Sequence, residues 1–210
     1  MEALAEDFDS EAARAKEQNG RPFRLGVVRP DCDPAIQEGV DSALRARSLP
    51  MTEVVLPGME QAFDAGLTII NVETAAAFGH LVRSGLLQSD VHARLCAAKA
   101  TQLDAIAHAE SVRVLFTREV DAALEEVDAL ILPTMPVLPI TLAQAKVGAS
   151  VIGVSALIRP FNLSGHPALS LPIPLPGLAI KGGSQIVTRH GHDETACAIA
   201  RIIESSLQRL

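Results

Sequence analysis

Apolar positions along the chain follow two rhythms. Short, nearly unbroken runs mark strands: Arg24-Leu25-Gly26-Val27-Val28, Thr52-Glu53-Val54-Val55-Leu56, Asp128-Ala129-Leu130-Ile131-Leu132-Pro133-Thr134, Ala168-Leu169-Ser170-Leu171 and Gly183-Ser184-Gln185-Ile186-Val187-Thr188. Between them the spacing is helical. Ile36, Val40, Ala43 and Leu44 stripe a first helix. Asp33 caps it, and Pro34 follows where a missing N–H costs nothing. Phe63, Leu67, Ile70, Ala77 and Leu81 stripe a long second helix, with Glu73 near the stripe. Residues 84–90 read as a linker. A further helical region is expected from about Val91 to Glu126, with a break near Ser111. Leu103, Ile106, Ala107 and Val114 give its stripe, and Val120 and Leu124 follow one turn apart. The final helix opens at Asp193 and carries Ala196, Ile199, Ile203 and Leu207 on one face.

Strands and helices alternate at first, and the last two strands follow each other with no helix between them. That order predicts an α/β domain, a mixed β-sheet flanked by helices. Residues 1–20, ending at Asn19-Gly20, read as an N-terminal helix or arm. Residues 21–210 read as a single α/β domain. The 135–158 connection is long enough to be a functional loop or to hold a short helix. Phe161 to Pro167 reads as a polar turn: Asn162 and Ser164 bond local backbone, Gly165 takes a positive φ, and Pro167 fixes the next turn. Pro172 is expected to stop the strand that follows. Pro174, Pro176 and Gly177 make the next turn.

Composition sharpens this. Of 210 residues 48% are hydrophobic, yet Trp and Tyr are absent and Phe occurs six times, so Leu, Ile, Val and Ala must build the core. The mean hydropathy of +0.25 suits buried parallel strands and hints at apolar surface that needs a partner, most simply by self-association. The net charge of −7, without a basic cluster, argues against nucleic acid as a partner. Cys32, Cys96 and Cys197 lack metal-like spacing and read as reduced thiols of a cytoplasmic protein. The acidic first residues do not form a signal peptide. Pro133, Pro136 and Pro139 interrupt the greasiest stretch, Ala129 to Leu142, so no membrane span is expected there.

Three local patterns invite chemistry. His190-Gly191-His192-Asp193-Glu194 could hold a metal through His190, His192 and Asp193 for a metal-dependent hydrolase, or be a solvated hairpin end and helix cap. Lys181-Gly182-Gly183-Ser184 sets a Lys near a Ser, but on one short segment where nothing separate buries the Lys. His166 faces either a substrate or loop backbone and solvent. His80, His92 and His108 have no matching partners. No acid dyad, phosphate loop or Cys-His pair stands out.

Three segments together resemble the amidase signature family: Asp128 to Pro136, Phe161-Asn162 with Gly165-His166-Pro167-Ala168 and Ser170-Leu171-Pro172, and Gly183 to Val187. Leu25-Gly26-Val27, Glu73 and Asp193-Glu194 fit the same pattern. The resemblance implies the C-terminal part of the amidase signature fold. It makes Asp128, Pro133, Pro167, Pro172, Gly183 and Gln185 structural, and it puts Thr134, Asn162, Ser164, Gly165 and His166 at the wall of a pocket for a small amide. It also implies hydrolysis of carboxylic amide C–N bonds by a Ser nucleophile, a second Ser on a cis peptide and a proton-shuttling Lys. Their Gly/Ser-rich signature has no counterpart in this sequence. No residue is therefore assigned as catalytic or as a metal ligand, no cofactor is implied, and the chain is expected to be inactive alone.

Overall fold

The computed structural model describes residues 9, 11–13, 15, 21–45, 49–148 and 152–207. Residues 11–13 and 15 are helical; the rest of the expected N-terminal arm, apart from Asp9, lies outside the described residues. Five strands form one sheet: β1 (Leu25–Val27), β2 (Met51–Glu53), β3 (Ala129–Pro133), β4 (Ala168–Pro174) and β5 (Lys181–Val187). Their order is β2-β1-β3-β5-β4. β1 runs parallel to β2 and β3, whereas β5 runs antiparallel to β3 and β4. The helices are α1 (Pro34–Arg45), α2 (Met59–Phe78), α3 (Ser89–Lys99), α4 (Leu103–Glu126), α5 (Leu142–Lys146), α6 (Arg159–Ser164) and α7 (Asp193–Leu207).

The mixed sheet expected from the element order is present, with helices on both faces. Alternation along β3 explains the layering. Leu130 and Leu132 point into a core with Phe116, Val120 and Leu124 of α4, Ile69 of α2 and Phe161 of α6. Ala129 and Ile131 point the other way, to Val40 and Leu44 of α1 and Ile199 and Ile203 of α7. Both faces being covered, β3 must be apolar throughout, which is why it reads as a continuous run.

Several expectations change. β2 is three exposed residues at the sheet edge, Met51–Glu53, and not Thr52–Leu56; only the Val54 N–H still reaches the ladder, at the Val27 carbonyl (3.0 Å). The buried face of α2 is Ala62, Ala65, Gly66 and Ile69, so small residues and not the larger Phe63/Leu67/Ile70 stripe let neighbouring helices approach. The expected 91–126 helix is two, broken at Ala100–Gln102. Ser111 does not break α4, because its hydroxyl bonds back to the Ala107 carbonyl (3.0 Å). Leu103 is exposed, and the buried stripe runs through Ala109, Val112, Phe116, Val120 and Leu124. Glu73, near the expected stripe, is exposed. β4 passes through Pro172 to Pro174, because β4 is an edge strand and a missing N–H there breaks no ladder bond. By length and composition Met59–Arg83 is able to cross a membrane, with mean hydropathy 1.3 in its best window; here α2 packs on α3, α4 and α6.

Candidate functional site

The segment read as a polar turn is a helical turn. Pro160 starts α6 within its first two positions, and Gly165 ends it at φ 75°, its N–H bonding the Phe161 carbonyl. The left-handed glycine was legible; the helix before it was not. It throws Ser164 and His166 inward, both buried.

His166, read as facing either a substrate or loop backbone and solvent, is 5% exposed within a side-chain network. Its Nδ1 lies 2.9 Å from Ser164 Oγ, and its Nε2 lies 3.2 Å from Asp121 Oδ1 on α4. The His190 ring stacks 4.2 Å away, centroid to centroid. Desolvation and the neighbouring His190 push the His166 pKa down against the opposing pull of Asp121. The network joins three elements: α4, the α6–β4 turn and the loop after β5. Although Ser, His and Asp line up, the geometry does not suit nucleophilic catalysis. Ser164 Oγ is buried and donates to the Phe161 carbonyl at 3.3 Å, so no substrate carbonyl can approach it.

The other pocket-wall candidates stand elsewhere. Asn162 is exposed and lines a small cleft with Glu73, Arg113 and Arg159. Thr134 Oγ1 hydrogen-bonds Ser170 Oγ (2.6 Å) across Gly183, where a Cβ would meet that Thr134 oxygen at 2.6 Å. The sequence therefore groups five residues that the fold distributes over three places.

Residues carried by the resemblance have identifiable mechanical roles. Asp128 Oδ2 accepts the Arg24 backbone N–H (2.7 Å), tying β3 to β1. The Pro167 carbonyl accepts from the Thr188 N–H (3.0 Å). Gln185, buried on β5, donates through Nε2 to the Leu157 carbonyl (3.0 Å) and pins the long 135–158 connection to the sheet. Pro133 and Pro172 pair with Ser184 and Gly183 in the ladder.

Sequence reasoning missed Arg159. It is 8% exposed, stacks its guanidinium 4.0 Å from the Phe63 ring centre, and donates to the Phe63 carbonyl (3.3 Å) and to Ser155 Oγ (2.9 Å). Burial lowers its pKa. Gly66 makes room for it, since a Cβ there would sit 2.7 Å from Arg159 Cγ. Arg159 stands at the rim of a mostly apolar cavity of about 730 Å³ between α2 and α3, with Leu67, Ile70, Phe78, Leu87 and Val91. The Arg159–Gly66 pairing could have been sought as a small residue on a helix face, but nothing in the sequence links positions 66 and 159.

His192 and Asp193 do not join the His166 network. The His192 carbonyl accepts from Thr188 Oγ1 (3.1 Å), and Asp193 opens α7. Ser184 is 1% exposed in β5. Lys181, three residues earlier on the same strand, points to the opposite face.

The amidase family profile matches residues 3–197. A glutamyl-tRNA(Gln) amidotransferase subunit of Archaeoglobus fulgidus is 35% identical over 88 residues, which is 41% of this chain and 19% of that protein. An uncharacterized protein from the nthA 5′ region of Rhodococcus erythropolis is 33% identical over 89 residues, 40% of this chain and 44% of that one. Among solved structures, a bacterial aryl acylamidase of the amidase signature family superposes with TM-score 0.77 at 20% identity, covering 95% of this chain and 46% of that one. The corresponding amidotransferase subunit of Thermotoga maritima gives TM-score 0.68 at 22% identity, covering 87% and 42%. At such identities the superpositions speak for the fold. The matched stretches cover less than half the length of each of these relatives. With its sequence matched over nearly its whole length and its sheet superposing on amidase signature enzymes, the chain belongs to the amidase signature family.

Proposed function

We propose that this chain builds the C-terminal sheet and pocket wall of an amidase fold and does not hydrolyse amides alone. One observation carries the reading: Lys99, Lys146 and Lys181, the lysines among the described residues, are all exposed. A Lys that accepts a proton from Ser near neutral pH needs burial to lower its pKa. Ser184, the Ser nearest a Lys in sequence, is sealed in β5. In a complete site a polypeptide bearing the Ser/Lys signature would attack the amide carbonyl, form an acyl-enzyme, release ammonia or amine, and pass the acyl group to water. Thr134, Asn162, Ser164, Gly165 and His166 would then shape or brace the wall for a small amide. The free thiols Cys32, Cys96 and Cys197 fit a cytoplasmic setting.

Ammonia release from acetamide, benzamide and glutamine tests this on the purified chain. The expected result is turnover no greater than buffer. Turnover that Ser184→Ala or Ser164→Ala abolishes overturns it.

A second reading, self-association, is favoured by the exposed β2 edge and by the half-open cavity beside Ile70, Phe78 and Val91, each more than 40% exposed. Light scattering should return a dimer or larger species; a well-behaved monomer counts against it.

A further inference from the structure

Asp121, His166 and His190 come from positions far apart in the chain, yet one ligand atom from each lies within 4.8 Å of the others. The 3.2 Å between His166 Nε2 and Asp121 Oδ1 is close to the ligand–ligand edge of about 3.3 Å in a tetrahedral zinc site with bonds near 2.05 Å. That distance also suits a hydrogen bond, so the position of the imidazole hydrogen decides what lies between the two atoms. Ser164 Oγ donates to the Phe161 carbonyl and therefore accepts at His166 Nδ1. We assign the ring hydrogen to Nδ1 on that basis. Nε2 then turns a lone pair toward a carboxylate oxygen, and two acceptors so close repel unless a cation or a proton separates them.

The geometry points to a binding site for a zinc-class divalent cation, held by Asp121 of α4, His166 of the α6–β4 turn and His190 of the loop after β5. Two imidazoles with one carboxylate suit Zn²⁺ and its transition-metal neighbours over Mg²⁺, which prefers oxygen ligands and its own water. Ser164, fixing the Nδ1 hydrogen, plays the part that outer hydrogen-bond partners play at zinc histidines. The site has a way in. Asp121 and His190 are exposed and line an open polar depression with Glu125, His192 and Arg189. Glu125 and Asp121 outnumber the single guanidinium of Arg189, which donates through Nε and Nη2 to the Leu124 carbonyl. Water completes the coordination. The bound cation cross-links three elements that the fold otherwise holds together only by packing and hydrogen bonds, so its effect is read as stability. This differs from the His190/His192/Asp193 set, of which only His190 remains.

Calorimetric titration of chelator-treated protein with Zn²⁺ tests the site. One ion per chain is expected, with affinity reduced at least tenfold in Asp121→Asn and in His190→Ala. Both positions are exposed, so both variants should fold. At about a hundredfold excess over Kd the midpoint of thermal unfolding should rise on the order of 5–10 °C. Mg²⁺ should give neither signal. Absence of saturable Zn²⁺ binding overturns the proposal. So does binding that both variants retain, or binding lost in His192→Ala but kept in Asp121→Asn.

Discussion

Gly183→Ala probes the joint on which β3, β4 and β5 meet. β5 is the strand between the other two, and Gly183 sits opposite Pro172 in its ladder. A methyl group there would meet Thr134 Oγ1 at 2.6 Å, Ser170 Oγ at 2.8 Å and Thr134 Cβ at 2.9 Å. None of these contacts is tolerable, and Thr134 Cβ is fixed to the chain at the end of β3. Relieving them separates Thr134 from Ser170 and breaks their 2.6 Å hydrogen bond. Overpacking costs about 1–3 kcal/mol and the lost bond about 1 kcal/mol. Stiffening the unfolded chain by replacing a glycine gives back about 0.4–1 kcal/mol. The net expectation is a loss of about 1–3.5 kcal/mol, measured by urea unfolding as a lower midpoint at unchanged m-value. Gly153→Ala is the control: nothing lies within 4 Å of its added Cβ and its φ is not positive, so stability should hold or rise slightly. In the double variant Gly183→Ala/Ser170→Ala the 2.8 Å contact disappears, and the two costs should be less than additive. A neutral Gly183→Ala, or strictly additive costs, would refute the steric account of why glycine stands there.

Arg159→Ala should cost about 2–4 kcal/mol, since it empties the space under Phe63, whereas Arg159→Met, which refills it, should cost about 1 kcal/mol. Equal losses in thermal unfolding would show that charge and not volume matters at that position. Asp128→Ala should cost about 1–2 kcal/mol through the orphaned Arg24 N–H, and 1 M salt should not mimic it, because the ion pairs to Arg21 and Arg24 are half-exposed and weak. Burial raises the Cys32 and Cys197 thiol pKa values, with Asp31 and Asp33 adding to the first and Asp193 and Glu194 to the second. A raised pKa means less thiolate at a given pH, so at pH 8 iodoacetamide should label exposed Cys96 well before either, and the lag should close as pH rises past 9. Mass spectrometry of peptides reads this; equal rates at pH 8 would count against the burial effect.

What the sequence discloses depends on whether a physical signal is local. β3 was legible because burial on both faces makes its segment apolar end to end, and β5 because Ile186 and Val187 follow the Gly182-Gly183 pair. α1 was legible because Asp33, Pro34 and a regular stripe agree, and α7 because its stripe from Ala196 to Leu207 is regular. β2 was misplaced because an exposed edge strand carries little burial signal, while the nearby Val54-Val55-Leu56 run looked more strand-like. α6 was missed because six residues are too few for periodicity, although Pro160 marked its start. The α2 stripe was misread because Ala62, Ala65 and Gly66 pack by being small, and hydrophobicity ranks Phe63 and Leu67 above them. The His166 network had no signal at all: positions 121, 166 and 190 share no spacing, and only the closure of the sheet brings them together.

The parallel pairing of β1 with β3 has a kinetic corollary. Arg24 and Asp128, which join at its start, are 104 residues apart in the chain, whereas β4 and β5 are joined by only a short turn. Bringing the first pair together costs roughly 2.5 kcal/mol more closure entropy than the second. The β4–β5 hairpin and α7 are therefore positioned to form early as a local nucleus. β1 docks onto β3 late, so destabilising substitutions in β1 should speed unfolding more than they slow folding.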